Sequence, residues 1–518
     1  MEFMNKYALI SVSDKTGIEI LAMGLENLGY TILSTSRTAK HLRQFCNSLV
    51  EVSDYTGFPE ILDGRVKTLH PKIHGAILAD RNKESHLRSL KEHDIGQIDI
   101  VVVNLYPFAE VRMEENSSHE QIIENIDIGG PSLIRAAAKN YRNVTVLCDY
   151  RDYEPTLEHL KQDSQIPECW SSYLAQKAFA MVSNYDAVIA DYLEDFRSET
   201  VPEESMPPFI DISANKHQSL RYGENPHQKA AFYTCHPDGW NVLHGKELSF
   251  NNIMDIDASL KAIRLFKDPT VIIIKHCNPC GIGSGSNLSE AYRNAFATDT
   301  VAPYGGIVVV NRRLDLETAV MINRIFTEII IAPGYEKGVL DVLMKKKSRR
   351  LISYEPSFLI KASNRYEIKT MQWGYLAQEW DLVAEDIGSW KVVTQRQPSS
   401  EEFDAMVYGW KAVALLKSNA IALAYPNQIV GFGIGQTSRI DSTSIAIWKA
   451  NKFKHELSKA VCASDGFFPY RDSIDELYQA GVKAVIQPGG SKGDEECIQA
   501  CDELDMTMVF TGYRHFRH

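Results

Sequence analysis

The sequence predicts an α/β protein of more than one domain, opening with a doubly wound, helix-covered parallel sheet. Three observations carry this. The chain has 518 residues, too many for one ordinary core. Short apolar runs alternate with amphipathic stretches, the rhythm of βα units. A polar, proline-bearing stretch, Arg197-Ser-Glu-Thr-Val-Pro-Glu-Glu-Ser-Met-Pro-Pro208, interrupts that rhythm and predicts a linker. The expected domains are therefore 1–198 and 199–518.

Taken in order, Tyr7–Val12 reads as a strand, Gly17–Leu28 as a helix and Thr31–Leu33 as a strand. Ile98–Val103 and Val144–Leu147 are continuous apolar runs of the buried parallel kind. Trp170–Phe196 reads as a long closing helix. Beyond the linker, Thr270–Ile274, Ile307–Val310, Ala420–Ala424, Val461–Ala463, Ala484–Ile486 and Met508–Phe510 read as buried strands, enough for two subdomains. No short tandem repeat or low-complexity tract is visible. The basic run Lys345-Lys-Lys-Ser-Arg-Arg350 reads as a solvated helix end, or as a landing patch for an acidic ligand tail.

Composition narrows the function classes. Hydrophobic content of 44% and charged content of 24% are globular, with ample material for cores. A formal net charge of −12 argues against a dedicated nucleic-acid binder but leaves anionic small substrates open, because local cations set the field in a cleft. No apolar run is long enough to span a bilayer, and the N-terminus lacks a signal peptide's apolar core. Nine cysteines without a framework suit reduced thiols. The expectation is a soluble, cytoplasmic protein with no membrane or nucleic-acid partner.

In the first domain, Ser11-Val-Ser-Asp-Lys-Thr-Gly17 follows a strand and opens a helix, which makes either an anion site or an ordinary helix cap with a surface lysine. A second such turn, Ser34-Thr-Ser-Arg-Thr38, follows the next strand. Two at neighbouring strand ends point to a phosphorylated ligand above the sheet edge. Gly64-Arg-Val-Lys-Thr-Leu-His-Pro71 packs two cations, a hydroxyl and an imidazole into eight residues. Asn104 and Tyr106 of Asn104-Leu-Tyr-Pro-Phe108 should stand at the C-terminal end of a buried strand. Asp127-Ile-Gly-Gly-Pro131 precedes a helix whose Arg135 and Lys139 share one face, as functional groups or as exposed cations.

In the second domain, Ser219-Leu-Arg-Tyr-Gly-Glu-Asn-Pro-His-Gln228 offers Arg221 for a phosphate or carboxylate and Tyr222 for stacking. Gly245–Ile253 reads as a polar loop before a helix Ile256–Leu265. The central motif is Ile274-Lys-His-Cys-Asn-Pro-Cys-Gly281, where a buried strand delivers Lys275 and His276 to a glycine-bearing turn. Its Cys277-x-x-Cys280 raises zinc as a rival, yet a closed site needs four ligands and no second pair stands nearby. Gly431-x-Gly433-x-Gly435 lacks the rest of a dinucleotide fingerprint.

With Lys417-Ser-Asn-Ala420, Gly435-Gln-Thr-Ser-Arg-Ile-Asp441, Ala463-Ser-Asp-Gly-Phe-Phe-Pro-Tyr-Arg-Asp472, Gln487-Pro-Gly-Gly-Ser-Lys492 and Thr511-Gly-Tyr-Arg-His-Phe-Arg-His518, these segments resemble one family over residues 6 to 518. It is the bifunctional purine-biosynthesis family, which joins phosphoribosylaminoimidazolecarboxamide formyltransferase and inosine monophosphate cyclohydrolase in one chain. The resemblance implies a methylglyoxal-synthase-like first domain and a transformylase domain of two cytidine-deaminase-like subdomains. It further implies a homodimer with sites at the interface, 10-formyltetrahydrofolate as co-substrate and no required metal.

It assigns Ser13, Asp14, Lys15, Thr38, Arg65, Lys67 and Thr68 to nucleotide binding and places Asn104, Tyr106, Asp127 and Lys139 around the reacting atoms. Catalysis is then expected from Lys139 as proton donor, with Tyr106, Asp127 and Lys67 polarising and positioning. In the transformylase half His276 is the proton acceptor, Lys275 stabilises the transition state and Asn419 touches the reacting groups. Arg221, Tyr222, Gly305, Glu328, Arg439 and Asp472 bind the ribonucleotide, while Ile440, Phe467, Ser491, Lys492 and Arg514 lie on the folate side.

Three positions depart from the family pattern. Ser36-Arg37 replaces Gly-Gly, Pro303-Tyr304 replaces Ala-Phe, and Glu328 replaces an Asp of some members. A Gly-Gly phosphate turn serves positive φ or close backbone approach, so Ser36-Arg37 predicts a local cost of about 1–2 kcal/mol. An impaired cyclohydrolase beside an active transformylase is the alternative. A non-catalytic nucleotide binder on the same fold is a third reading, opposed by clustered Lys275, His276 and Asn419.

Overall fold

The computed structural model describes residues 6–114, 116–194, 206, 209–210, 212, 214–234, 239–360, 366–381 and 387–518. The chain divides into two compact units, Met1–Ala214 and Asn215–His518. The expected linker, 197–208, lies outside the described residues except for Met206, as does the end of the closing helix beyond Glu194.

The first unit is built on β1 (Lys6–Ser11), β2 (Tyr30–Ser34), β3 (Leu49–Glu51), β4 (Ile98–Val103) and β5 (Thr145–Leu147). They run in the order β3-β2-β1-β4-β5, and every pairing is parallel. A parallel sheet buried on both faces needs continuous apolar strands. β4, Ile-Asp-Ile-Val-Val-Val, supplies one, with Val101 and Val102 fully buried. The helix Gly129–Lys139 buries Leu133, Ile134, Ala136, Ala137 and Ala138, and the closing helix, observed as Glu168–Glu194, joins the same core through Leu174, Ala175, Ala178 and Val182. Strand order reverses between β1 and β4, which opens a crevice at their C-terminal ends.

Among the described residues the second unit has sixteen strands. They are β6 (Asn215–Leu220), β7 (Ala230–Thr234), β8 (Trp240–His244), β9 (Thr270–Lys275), β10 (Asn278–Ser284), β11 (Ile307–Val310), β12 (Ile329–Ala332), β13 (Arg350–Tyr354), β14 (Tyr366–Met371), β15 (Gly374–Glu379), β16 (Lys391–Val392), β17 (Ile421–Tyr425), β18 (Gln428–Gly433), β19 (Val461–Ser464), β20 (Ala484–Gln487) and β21 (Thr507–Phe510). Twelve form one sheet, β16-β21-β20-β19-β17-β18-β10-β9-β11-β12-β13-β8, and β6–β7 and β14–β15 are separate pairs.

That sheet contains a repeat, in keeping with the two similar subdomains that the family resemblance implies. β9 pairs antiparallel with β10 and β11, and β11, β12 and β13 are parallel; β17 pairs antiparallel with β18 and β19, and β19, β20 and β21 are parallel. The halves meet at β10 and β18, where Gly283 opposes Gln428. Both meeting strands are glycine-rich for the same reason. A Cβ on Gly281 would lie 2.0 Å from the Ala295 carbonyl oxygen, and one on Gly433 would lie 1.8 Å from that of Ser442. Each glycine lets a helix backbone press on its strand. The Gly431-x-Gly433 spacing is therefore helix–strand packing, and Asn278–Ser284, read as a turn, is a strand.

Two further expectations are corrected. The helix expected at Ile256 begins at Phe250, because Ser249 and Asn252 form a reciprocal capping box inside the segment read as a loop. The basic run is solvated only in part, with Lys345 and Lys347 exposed. Arg349 is fully buried, donating to the Thr327 carbonyl at 3.1 Å and Asn323 Oδ1 at 2.8 Å, and Lys346 donates to the carbonyls of Asn323 and Ile325. These cations satisfy carbonyls at the C-terminal end of the helix Leu316–Ile322.

Candidate active sites

In the first unit, loops from four chain segments converge at the β1/β4 switch. Asn104, one residue past β4, accepts through Oδ1 from the backbone N–H groups of Ser13 (2.6 Å) and Asp14 (3.1 Å). Its Nδ2 donates to the Asp14 carbonyl at 2.7 Å, so one side chain clips the β1 loop across the crevice. Asp14 Oδ1 takes the N–H and hydroxyl of Thr16, which holds its carboxyl below the usual range. Lys15 Nζ donates to the Ser13 carbonyl at 3.2 Å. Thr38 is buried and its hydroxyl is shared between the N–H and carbonyl of Val12, so it locks β1 to the second turn.

Ser36 and Arg37 are the first residues of the helix Ser36–Leu42, and neither has positive φ. The backbone cost expected of them does not arise, because a regular first helical turn suits any residue. Ser36 bonds to Glu60, and Lys67 Nζ approaches both, at 3.4 Å from Ser36 Oγ and 3.3 Å from Glu60 Oε2. Arg37 is exposed. Gly64 has φ 89°, a left-handed conformation that favours glycine, and its Cα faces the Lys67 side chain. Arg65 forks onto Glu124 at the surface, and Thr68 lies against Gly129.

Asp127 receives the Gly130 N–H at 2.8 Å, while its own N–H is held by the Tyr185 hydroxyl. Burial pushes its carboxyl above the usual range, against the pull of the N–H groups of Gly130, Tyr106 and Gly129. Tyr106 is 46% exposed beside it. Lys139 is not part of this cluster. It ends an 11-residue helix that begins just after Asp127, so about 15 Å of helix separates the two. With Arg135 it lines a different cavity of about 810 Å³ against the closing helix.

In the second unit most of the expected residues stand along one edge of the twelve-stranded sheet, whereas Arg221 and Tyr222 follow β6 of a separate pair. The ends of β9, β18, β19, β20 and β21 and the starts of β11, β12, β13 and β17 share that edge through the registers Ile307↔Ile274, Ile329↔Arg350, Ile421↔Gly433, Ile421↔Ser464 and Gln487↔Phe510. A cavity of about 320 Å³ there gathers Asn419, Arg439, Ile440, Phe467 and Asp472, with Tyr470 and Phe516. Arg439 does not present a free fork to a ligand. It is buried, ion-paired with fully buried Asp465, and donates to Asn419 Oδ1 at 2.8 Å. Asp465 also takes the Ser418 hydroxyl and the Ala420 N–H at 3.0 Å, so it fixes both sides of Asn419.

Lys275 and His276 lie elsewhere on the edge, three strands from Asn419 and so about 14 Å away. His276 and Cys277 form the two-residue turn between β9 and β10, at φ 54° and 60°. Left-handed backbone in non-glycine residues costs on the order of 1–3 kcal/mol each and persists where surroundings enforce it. His276 is exposed; Lys275 Nζ donates to the carbonyls of Tyr304 (2.9 Å) and Ala302 (3.3 Å). Burial pushes the thiols of Cys277 and Cys280 up to about 11 and about 12. Gly305 (φ 75°) donates to the Phe326 carbonyl. Glu328 accepts from Asn252 at 3.2 Å and pairs with Arg350 at 3.0 Å.

The remaining expected residues are peripheral. The Arg221 guanidinium lies 5.6 Å from the Tyr222 ring centroid. Ser491 Oγ takes the Gly493 N–H, Lys492 is exposed, and Arg514 stacks over Phe516 at 4.5 Å. Asp465 and Asn252 were missed as site residues. An acid directly after a buried strand was the available signal for Asp465; nothing local marked Asn252.

A family model described as AICARFT/IMPCHase bienzyme matches residues 137–449, and one described as MGS-like domain matches residues 17–132. The bifunctional purine biosynthesis protein PurH of Thermoanaerobacter sp. (strain X514) is 46% identical over 520 residues, covering 99% of this chain and 100% of the relative. The chain belongs to the AICARFT/IMPCHase bienzyme family. The PurH protein of Bacillus subtilis (strain 168) is 44% identical over 519 residues and 99% of both chains. The crystal structure of ForH covers 36% of this chain and 98% of its own at 37% identity, with a TM-score of 0.34. Family membership accounts for the order of the units, an MGS-like fold followed by the larger α/β unit.

Proposed function

We propose that the chain catalyses the last two steps of de novo purine biosynthesis. A formyl group passes from 10-formyltetrahydrofolate to the 5-amino group of aminoimidazolecarboxamide ribonucleotide, and ring closure with loss of water then gives inosine monophosphate. The observation that carries the first step is the cavity at Asn419, where residues assigned to the nucleotide side and to the folate side meet. Nothing supports the impaired-cyclohydrolase alternative, since Ser36 and Arg37 keep ordinary helical backbone.

In the transfer, the amine attacks the formyl carbon, His276 takes the amine proton, and Lys275 and Asn419 stabilise the tetrahedral oxyanion. Collapse returns a proton to the departing folate nitrogen. Separation of Lys275 and His276 from Asn419 within one chain supports the homodimer reading, in which a second copy completes each site. In ring closure the carboxamide nitrogen attacks the formyl carbon, and the hydroxyl of the adduct leaves as water. Lys67, Tyr106 and Asp127 polarise and position these atoms, and Lys67 replaces the more distant Lys139 as the cation on the formyl oxygen. We place both reactions in the cytoplasm; among the described residues no helix is long and apolar enough to cross a membrane.

A coupled assay from the ribonucleotide and 10-formyltetrahydrofolate tests this by following the formyl intermediate and inosine monophosphate separately. Accumulation of the intermediate without the final product would revive the alternative; absence of both would end the proposal.

Two variants probe the ring-closing site. Asp127→Asn is expected to lower ring closure by about 10²-fold or more while raising the melting temperature at neutral pH. A carboxyl whose folded pKa is raised favours folding below its unfolded pKa, and that contribution is lost as pH rises through the folded value. At pH 7 the buried charge is thus a burden that Asn removes while keeping an acceptor for the Gly130 N–H. The difference should vanish below about pH 4; a melting gap independent of pH would contradict this. Arg37→Ala should raise KM for the formyl intermediate several-fold with little change in kcat, because an exposed fork beside the crevice serves the phosphate rather than the reacting atoms. Equal loss in both constants would refute that role.

A further inference from the structure

We infer that Asp255 is the positioning residue that holds the His276–Cys277 turn in its working conformation, an inference that rests on His276 being the base of formyl transfer. The turn is two residues long, bounded by the register Lys275↔Asn278. Such a turn needs positive φ at both central positions, and sequences normally meet that need with Asn-Gly or Asp-Gly. Here both positions carry side chains, at φ 54° and 60°, so local preference opposes the geometry and an outside contact has to enforce it.

Asp255 makes that contact. Its Oδ1 accepts the Cys277 N–H at 2.6 Å, a short charge-assisted bond to a backbone donor of the turn itself. Cys277 packs its side chain on the core beneath, and Asn278 Nδ2 closes the other side by donating to the His276 carbonyl at 2.9 Å. Asp255 is itself rigidly carried. It lies in the helix Phe250–Ile263, whose first turn is fixed by the Ser249–Asn252 capping box. Its carbonyl receives the Ser259 hydroxyl at 2.7 Å.

Asn252, three residues earlier and on the same face, donates to Glu328 at 3.2 Å. One helical turn thereby grips two neighbouring parts of the sheet edge, the β9–β10 turn through Asp255 and the start of β12 through Asn252. His276 then faces the crevice with its main chain tied down. The carboxylate acts on catalysis through that backbone bond.

Kinetics of full-length Asp255→Ala and Asp255→Asn, with His276→Ala beside them, test the idea. Asp255→Ala should lower kcat for formyl transfer by about tenfold or more, with both KM values within about twofold and ring closure unchanged. Asp255→Asn keeps an oxygen acceptor and should recover most of kcat. Wild-type kinetics for Asp255→Ala beside an inactive His276→Ala overturns the positioning role alone. So does an Asn variant as impaired as the Ala variant, since the acceptor would then not be what matters. An active His276→Ala overturns the reading of the base instead. Should Asp255→Ala fail to fold, judged by its melting curve, the Asn variant still decides through its recovery or loss of kcat.

Discussion

Replacement of His276 by alanine is expected to lower formyl transfer by about 10²–10⁴-fold and to leave ring closure near its wild-type rate. The size follows from what an imidazole does for a weak nucleophile. The 5-amino group donates its lone pair into the heterocycle and must lose a proton as it attacks. A base at the sheet edge takes that proton as the bond forms, and water does so far less well. Specificity is expected from the fold, because His276 belongs to the unit Asn215–His518 and the residues proposed for ring closure to Met1–Ala214. His276 is exposed on a turn, so its removal leaves no buried cavity. Ring closure is measured with supplied formyl intermediate; parallel loss of both activities in a folded variant would count against two separate sites.

The second large effect is expected at a residue that touches no reacting atom. Asp465→Ala should destabilise the larger unit by about 3–5 kcal/mol, because it strands the buried Arg439 guanidinium without its counter-charge. Arg439 is 6% exposed and Asp465 fully buried, so the counter-charge is lost where solvent access is small. Formyl transfer should fall with stability, since the same carboxylate fixes the Ser418 hydroxyl and Ala420 N–H on either side of Asn419. Denaturant midpoints report the first effect and turnover at a temperature where the variant remains folded reports the second. A midpoint within about 1 kcal/mol of wild type would show that water enters the site and that the pair is less isolated than its burial indicates.

The sequence by itself determined the α/β class, the parallel sheet of the first unit and most buried strands, because continuous apolar runs of four to six residues have few other uses. Motifs placed immediately after such runs also fell where expected. Asn104 after β4, Ser13 and Asp14 after β1, and Lys275 and His276 at the end of β9 are all fixed by strand ends. Packing between distant segments was not legible. β10 and β18 were not read as strands, because glycine disfavours strands until a helix backbone presses on it from elsewhere in the chain. The two subdomains were expected from the family resemblance, but not how their sheets join at those strands. The basic run from Lys345 read as solvated, since the carbonyls that bury Arg349 come from over twenty residues earlier. The resemblance put Arg439 among the ribonucleotide ligands, but its ion pair with Asp465 was not visible, and it put Lys139 around the same reacting atoms as Asp127, from which an 11-residue helix separates it. Side-chain chemistry and periodicity are properties of short stretches and can be read along the chain. Which charge meets which, and at what distance, depends on contacts between segments that only the folded sheet brings together.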